Sequence, residues 1–390
     1  MEKNVYLYPC SSYDEGLINT AYQEILINSG LLDCIKNGSK VGIKLNLVSS
    51  LAPEKAATTH PLLVSELCKL LIEKNCQVTI GDSPGGLFTE GILKKVYHEC
   101  GLSNLTSLGV NLNYNTTITK VKVEGKSLHQ LDTTCWLEEQ DVLINFSKIK
   151  SHGMMGLSAS VKNMFGVVPG LTKPEYHYRY PNHIDFANML IDINEYYKPV
   201  INLIDAVIGM EGNGPTQGTP RLVGLLLASK SPYALDLVAA KLIGLLPTDV
   251  ETINQSIKRG LVPESVDDLN LNLKLDEYII DDFKCIKPGK NMEFGNKWKG
   301  PFGKVITKVV SRVLKVRPKV NRKECIGCKK CANICPVKAI TMKNQLPKIN
   351  SSVCIRCFCC QEFCPKGAMK VHKNLIIKIL NQNKRSANEK

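Results

Sequence analysis

The chain lacks the features that direct a protein into a membrane or a secretory pathway. No stretch of its 390 residues approaches the 18 consecutive apolar residues of a membrane-spanning helix. The start, MEKNVYLYPC, has no basic segment leading into an apolar one, so no secretory signal peptide is expected. Seven cysteines are scattered without regular spacing, which disfavours a disulfide framework and suits reduced thiols. We therefore expect a soluble, cytoplasmic protein.

Acidic residues are nearly missing from the last 90 positions. Residues 301–390 hold 21 Lys and Arg but only 3 Asp and Glu, whereas residues 1–300 hold 29 and 33. The basic tail would steer acidic partners towards it. We expect an acidic electron carrier of the ferredoxin or flavodoxin type or a redox enzyme, with an anionic membrane surface as an alternative. Nucleic acid is not expected, because no recognition module accompanies the charge.

Eight of the 16 cysteines form two matching frames, CxxCxxCxxxCP, near the C-terminus. This spacing is that of bacterial two-cluster ferredoxins, in which the fourth cysteine of each frame binds the other cluster. It predicts two 4Fe–4S clusters. The ligands of the first would be Cys325, Cys328, Cys331 and Cys364, and those of the second would be Cys354, Cys357, Cys360 and Cys335.

A disulfide or zinc module does not account for these frames. A disulfide framework needs an oxidising compartment, and a zinc site needs four ligands rather than eight in duplicated frames. A ninth cysteine, Cys359, lies inside the second frame and is expected to be a packed neighbour rather than a ligand.

The sequence predicts four segments: an α/β domain at 1–299, a basic amphipathic linker helix at 300–316, a ferredoxin-like domain at 317–372 and a basic tail at 373–390. In the linker, apolar residues recur at helical spacing while lysines and an arginine take the other face. Such a helix either packs the ferredoxin-like domain onto the first domain or binds a membrane surface or a partner.

The first 290 residues alternate short β-branched runs with helical stretches, which indicates βαβ units and a mostly parallel sheet flanked by helices. We predict strands at 40–48, 76–82, 141–149, 200–209 and 222–229, and helices at 60–74, 89–101, 186–197 and 231–247. Ligands of open α/β sheets bind beyond the carboxyl ends of the strands. That rule makes the residues at these ends, including Asn46, Asp205 and Ser229, candidates for a binding site.

The segment SKIKSHGMMGLSASVKNMFGVVPG, residues 147–170, is unusual after a buried strand. It combines glycines, which allow close backbone approach to a ligand, with Lys148, Lys150, His152 and Lys162. The natural occupant would be an anionic small molecule or cofactor. The alternative is a solvated basic loop.

Two further loops are candidates for ligand binding. EGNGPTQGTPR, residues 211–221, has the composition of a loop shaped around a ligand and contains Glu211 and Asn213. In GDSPGG, residues 81–86, Asp82 and Ser83 could cap a helix that holds an anion. Each could instead be a plain connection. No nucleotide-binding pattern and no reliable flavin motif is present, so any additional cofactor is unknown.

Several motifs, in this order, resemble the DUF362 family of iron–sulfur proteins: VGIKLNL, THPLLVSEL, GDSPGG, residues 145–170, EGNGPTQG and the second cysteine frame. The resemblance covers nearly the whole chain. It implies an α/β domain fused to a ferredoxin module with iron–sulfur clusters, in a family whose activity is not generally established.

TTHPLLVSEL and SHGMMGLSASVKNMFGVVPG, with the later EYH, also resemble parts of the lactate racemase catalytic domain. By that resemblance His60 and His152 would transfer protons, Lys162 would anchor a nickel-pincer nucleotide and His177 would be a ligand. The stretch between Lys162 and His177 departs from the racemase pattern.

Three functions follow. The first is an iron–sulfur oxidoreductase that passes single electrons through the two clusters to a substrate or cofactor in the cationic cleft, where His152 supplies a proton. The second is a non-enzymatic electron-transfer protein whose α/β domain is a docking scaffold. The third is an isomerase or racemase-like enzyme with structural or regulatory clusters. We favour the first, because a pair of clusters forms an electron relay and a scaffold needs no cationic glycine-rich rim.

Overall fold

A computed structural model describes residues 1–286 and 316–372 of the chain. The chain divides into two compact units, residues 1–285 and 286–390. Apart from Val316, the predicted linker helix at 300–316 lies outside the described residues, as does the predicted tail at 373–390. In the two described ranges, no helix is both long and apolar enough to cross a lipid bilayer.

The first unit is an α/β domain with one large sheet and a separate hairpin. Its strands are β1 (Asn4–Pro9), β2 (Lys40–Lys44), β3 (Gln77–Gly81), β4 (Asn111–Leu112), β5 (Ile118–Lys122), β6 (Gln130–Thr134), β7 (Val142–His152), β8 (Gly156–Ser158), β9 (Ile201–Glu211), β10 (Thr219–Ser229) and β11 (Asn270–Leu271). Its helices are α1 (Glu15–Tyr22), α2 (Pro61–Glu73), α3 (Glu90–Glu99), α4 (Ser160–Asn163), α5 (Lys173–Arg179), α6 (His183–Tyr197), α7 (Pro232–Leu242) and α8 (Glu251–Lys258).

The large sheet has the order β11-β1-β10-β9-β7-β2-β3-β4, and β8 pairs with β7. The pairs β2–β3, β2–β7, β3–β4, β7–β9 and β1–β11 are parallel. The predicted mostly parallel sheet with flanking helices is thus confirmed. The central strands β7 and β9 are buried along almost their whole length, as expected for strands covered on both faces.

One side of the sheet differs from the sequence-based expectation, because β10 runs antiparallel to both β9 and β1. Ser229, at the end of β10, lies opposite Asn202 at the start of β9. The prediction that Ser229 lies at the ligand-binding edge was therefore wrong. Hydrophobicity identifies a buried strand but does not give its direction, which the chain connections decide.

The helices begin where local capping chemistry allows. Ser231 precedes α7, and its hydroxyl accepts a hydrogen bond from the N–H of Ala234. His60 precedes α2, and its Nδ1 accepts from the N–H of Leu62. A proline occupies the first position of both helices, where its missing N–H has no cost.

The second unit, in its described part, is built as a repeat. Its strands are β12 (Arg317–Val320), β13 (Ile340–Lys343), β14 (Leu346–Ile349) and β15 (Met369–His372), and its helices are α9 (Lys330–Asn333) and α10 (Cys359–Glu362). β12 pairs with β15 and β13 with β14, both antiparallel. Lys329 and Phe358, each just before a short helix, both have a φ of 61°.

Gly166 lets a turn pack directly on the carboxyl edge of the sheet. Its carbonyl accepts a hydrogen bond from the N–H of Ser83 at 3.2 Å. A Cβ at this position would lie 2.2 Å from Asp82 Oδ1 and 2.3 Å from Lys44 Nζ. No larger residue fits without moving these buried side chains.

We expect Gly166→Ala to lower the free energy of unfolding by about 3 kcal/mol, since the buried neighbours must shift. Urea unfolding followed by circular dichroism measures the change. Gly91→Ala is the matched control, because Gly91 lies in α3 with no atom within 4 Å of an added Cβ. The control should be neutral or stabilising by about 0.5 kcal/mol. Equal effects of the two changes would contradict the packing argument.

Candidate functional site

Two buried lysine–aspartate ion pairs lie at the carboxyl edge of the parallel strands. Lys44 Nζ is 2.8 Å from Asp82 Oδ1, and Lys148 Nζ is 2.7 Å from Asp205 Oδ2. All four side chains are at most 4% exposed. Burial lowers the pKa of both lysines, while the paired carboxylates act in the opposite direction. Each pair forms because neighbouring parallel strands bring the two residues side by side.

Asp205 connects several segments that are distant in sequence. Its carboxylate accepts hydrogen bonds from the Tyr13 hydroxyl at 3.0 Å and from the His60 backbone N–H at 3.1 Å. Lys148 Nζ also donates to the Tyr13 hydroxyl at 2.6 Å. The Tyr13 and His60 rings stack 3.5 Å apart with an interplanar angle of 4°. We call Tyr13, His60, Lys148 and Asp205 the Asp205 network.

Burial decreases outward through this network. Lys148 and Asp205 are inaccessible, whereas Tyr13 and His60 are partly exposed. Burial lowers the pKa of His60 to about 4, although the Asp205 carboxylate opposes the shift. Because Nδ1 accepts from Leu62, the neutral imidazole carries its proton on Nε2. The partly exposed edge of the network thus offers a neutral imidazole.

Side-chain amides continue the polar layer beside the network. Asn46 Nδ2 donates to Asn163 Oδ1 at 2.7 Å, and Asn163 Nδ2 donates to Asn145 Oδ1 at 2.8 Å. Lys150 Nζ donates to Asn46 Oδ1 and, at 2.8 Å, to the carbonyl of Ala57. Lys148 and Lys150 are each 1% exposed, so they do not line an open cationic surface. The glycine-rich segment is neither an open cleft nor a solvated loop at these two residues.

Asp236 positions the short helix that carries Lys162 and Asn163. Its carboxylate accepts hydrogen bonds from the N–H groups of Ser160 at 2.6 Å and Val161 at 3.1 Å. Burial raises the pKa of Asp236 to about 7, while these N–H groups act in the opposite direction. Lys162 is partly exposed, and its Nζ lies 5.8 Å from the Phe165 ring centre.

His152 and His177 are packed side chains in different surroundings. His152 Nδ1 accepts from the N–H groups of Met154 at 3.1 Å and Met155 at 3.2 Å, which fixes the turn after β7. His177 stacks on Phe186 with ring centres 4.5 Å apart. No group of three His, Cys, Asp or Glu in the described ranges is close enough to bind a single metal ion.

The other loop candidates hold chain segments in place. Ser83 Oγ accepts from the N–H of Gly170 at 2.8 Å, and Lys173 Nζ donates to the Ser83 carbonyl at 2.6 Å. Glu211 is buried and accepts from the backbone N–H of Lys284, whose Nζ lies 3.2 Å from the same carboxylate. Asn213 is partly exposed in the same loop. These loops join parts of the α/β unit that are distant in sequence.

The eight frame cysteines of the second unit surround two cavities. The first cavity is lined by Cys325, Cys328, Cys331 and Cys364. The second is lined by Cys335, Cys354, Cys357 and Cys360, and also by Cys359. The N–H groups of Ala339 and Ala368 donate to Cys335 Sγ and Cys364 Sγ, each at 3.2 Å. Four thiols around a volume, rather than around a point, fit a cubane cluster.

Sequence reasoning missed Tyr13, Lys44, Asn163, Lys173 and Asp236. Tyr13 lies between β1 and α1 and has no motif around it. Lys44 resembles any lysine that ends a strand. Lys44 belongs to the site because it is buried in an ion pair with Asp82. No signal in the sequence marks that contact.

We expect the low pKa of His60 to make the folded state sensitive to acid. Above pH 6.5 the imidazole is neutral in both states. As the pH falls from 6.5 towards 4, the unfolded chain gains a proton that folded His60 does not, so stability decreases. His60→Asn should remove this part of the pH dependence in urea titrations at pH 7 and 5. His98→Asn, at an exposed position of α3, should retain it. Identical pH dependence in wild type and His60→Asn would contradict the assignment.

The comparisons with known proteins agree with this division into two units. The family described as Domain of unknown function (DUF362) matches residues 41–241, more than half of the chain. A 4Fe-4S dicluster domain matches residues 317–365. A thylakoid-associated protein of Synechocystis sp. is 28% identical over 300 residues, which cover 76% of this chain and 91% of that protein.

Two solved structures are similar to part of the chain. The lactate racemase apoprotein of Thermoanaerobacterium thermosaccharolyticum has a TM-score of 0.36 and 15% identity, over 52% of this chain and 50% of that one. A Thermotoga maritima protein has a TM-score of 0.35 and 13% identity, over 55% of each chain. The chain thus spans about half the length of these structures. The extent of the first family match shows that the chain belongs to the DUF362 family and carries a 4Fe–4S dicluster domain.

Proposed function

We propose that the protein is an iron–sulfur oxidoreductase that passes single electrons to a substrate or cofactor bound at its α/β unit. The two cavities of the second unit, each lined by four frame cysteines, carry this proposal. In both cavities three cysteines come from one frame and the fourth from the other. Each set would hold one 4Fe–4S cluster, which when bound supplies one-electron transfer.

The protein's own groups would set the properties of the two sites. Backbone N–H groups hydrogen-bonded to Cys335 Sγ and Cys364 Sγ withdraw electron density from these sulfurs. Such bonds favour the reduced state of a bound cluster. These two bonds lie at equivalent positions of the repeat, one beside each cavity.

The Asp205 network supports a reaction at the α/β unit. Its partly exposed edge consists of His60 and Tyr13, and the buried Lys148–Asp205 pair holds Tyr13 in place. Reduction of an organic substrate builds negative charge on it, and the Nε2–H of the neutral His60 imidazole could stabilise that charge by a hydrogen bond at this edge. Lys162, which is also partly exposed, would attract an anionic small molecule. The residue that we propose to hydrogen-bond the substrate is therefore His60 rather than the packed His152.

A second candidate is a non-enzymatic electron-transfer protein with the α/β unit as a scaffold. The observation that favours it is the closed state of the polar layer. Lys44 and Lys148 are fully engaged with Asp82 and Asp205 rather than directed at a ligand. In a scaffold, these ion pairs would have a structural role only, which is to hold neighbouring strands and loops together.

We expect the cysteines that share a cavity to behave as a pair on substitution. In anaerobically purified protein, Cys364→Ser should reduce the iron content from about eight per chain and leave the same residual electron paramagnetic resonance spectrum as Cys325→Ser. Cys335→Ser and Cys354→Ser should both disturb the second cluster, so each should leave the spectrum of the first cluster. Cys34→Ser, in the first unit, is the control and should keep all the iron. If the spectrum of Cys364→Ser instead matched that of Cys354→Ser, the assignment of each frame's fourth cysteine to the other frame's cluster would be wrong.

We expect the reduced protein to be reoxidised by a small-molecule fraction of a cell extract, since an enzyme of this kind reacts with a small substrate. Anaerobic absorbance measures the rate. His60→Ala should lower the rate at least tenfold, roughly the contribution of one hydrogen bond to a developing negative charge, while the iron content stays unchanged. His98→Ala should have no effect. Reoxidation only by the protein fraction, with His60→Ala equal to wild type, would favour the electron carrier.

A further inference from the structure

The internal repeat makes the two cavities equivalent, so the residues that line one can be compared position by position with those that line the other. Every frame cysteine of the second frame follows its counterpart by 29 residues, as Cys354 follows Cys325. The same offset relates other residues that line the cavities. Differences between equivalent positions therefore mark features that cluster binding itself does not require.

Three equivalent lining positions differ strongly between the cavities. In the first cavity they hold Lys329, Lys330 and Lys366, and in the second they hold Phe358, Cys359 and Val337, whereas Ile326 and its equivalent Ile355 are the same residue type. Three lysines of the first cavity are thus replaced by an aromatic ring, a thiol and a valine in the second. Three lysines thus line the first cavity, whereas the residues that line the second include a single cation, Arg356.

Exposure differs in the same direction. Cys328, Lys329, Lys330 and Lys366 are exposed, and Ile326 is 59% exposed. At the equivalent positions of the second cavity, Phe358 is 4% and Cys359 1% exposed. A cysteine of the first cavity therefore reaches solvent inside a ring of lysines.

The lysine ring is available to a partner. Among the described residues, none of the three lysines is in an ion pair, whereas Lys370 is paired with Glu324 at 2.9 Å. Residues 316–372 hold 12 Lys and Arg but 2 Glu and no Asp, a balance of +10. Two oxidised clusters with their thiolates would contribute about −2 each, so the unit remains cationic.

We propose that Ile326, Lys329, Lys330 and Lys366 form a docking surface for a small acidic electron carrier at the first cavity. This proposal rests on the proposed function. One electron would leave the reduced carrier as the protein gains one, so no further reactant is needed. Transient redox complexes use small interfaces with complementary charge. An exposed apolar residue among lysines suits that type of interface.

A carrier explains the position of the surface better than an anionic membrane does. A membrane surface requires positive charge, but it has no need of an exposed cysteine at the centre of that charge. A carrier does require close approach to the cluster ligands. The lysines surround the exposed Cys328 and are missing at the buried Cys357, its equivalent in the repeat.

The test compares charge reversal on this surface with the same change elsewhere on the unit. The test variant is Lys329→Glu/Lys330→Glu/Lys366→Glu, and the control is Lys343→Glu/Lys348→Glu. Met342 and Pro347 line the first cavity, so their neighbours Lys343 and Lys348 point to the other face of the β13–β14 hairpin. Iron content is measured in the full-length protein before binding of a labelled acidic plant-type ferredoxin is titrated at low and high salt.

At low salt we expect the test variant to bind the ferredoxin at least tenfold more weakly than wild type, and the control to change binding less than about twofold. High salt should remove the difference. Equal losses in both variants would overturn the surface while leaving the proposed function intact, provided that the iron content is unchanged. Lack of iron in wild type would instead overturn the proposed function.

Two additions keep the test decisive. If charge reversal causes cluster loss, the neutral variant Lys329→Gln/Lys330→Gln/Lys366→Gln is used, and it should weaken binding in the same direction. Vesicles that contain anionic phosphatidylglycerol are titrated in parallel. If wild type binds the vesicles, the test variant does not, and ferredoxin binding is the same in both, the surface is a membrane contact and the proposal is wrong.

Discussion

The buried ion pair between Lys148 and Asp205 is the interaction on which the α/β site depends. An ammonium group and a carboxylate are expensive to remove from water, and they are tolerated within β7 and β9, where the two residues lie side by side, because each satisfies the other. The carboxylate has further acceptor capacity, and it uses this to hold Tyr13 and the start of α2. The arrangement of the side chains around Asp205 therefore follows from the need to satisfy its buried carboxylate.

Lys44 and Asp82 repeat this solution on the neighbouring strands β2 and β3. In both cases a buried lysine meets an aspartate that belongs to the adjacent parallel strand or directly follows it. The space around the pair is then restricted, which is why Gly166 must be a glycine where the turn crosses it. A rim that reads as cationic in the sequence becomes a compact layer of paired and hydrogen-bonded groups.

In the second unit, the two cysteine frames have the same cysteines but different residues around their cavities. The cysteines and the short helices that follow Lys329 and Phe358 are equivalent, because geometry around a cubane allows little variation. The positions that only surround the cavity are under no such constraint. Three of them are lysines at the first cavity and Phe358, Cys359 and Val337 at the second, so the two sites would differ in exposure, local charge and accessible partners.

Much of the molecule could be predicted from local patterns. Periodic hydrophobicity indicated the strands and helices of the α/β unit, and cysteine spacing indicated which cysteines belong together. The direction of β10 could not be predicted in this way, because a buried strand has the same pattern in either direction. The burial of Lys150 was also hidden, since its acceptors Asn46 and Ala57 lie about a hundred residues earlier in the chain.

The sequence by itself determined the α/β alternation and the two cysteine frames, because both depend on residues that are close together in the chain. Tertiary structure alone decided that Tyr13, His60, Lys148 and Asp205 form one network. These residues are up to 192 positions apart, and only the order of the strands brings them within hydrogen-bond distance. Tertiary structure also decided which lysines are exposed, because a lysine looks the same in sequence whether an aspartate or water satisfies its charge.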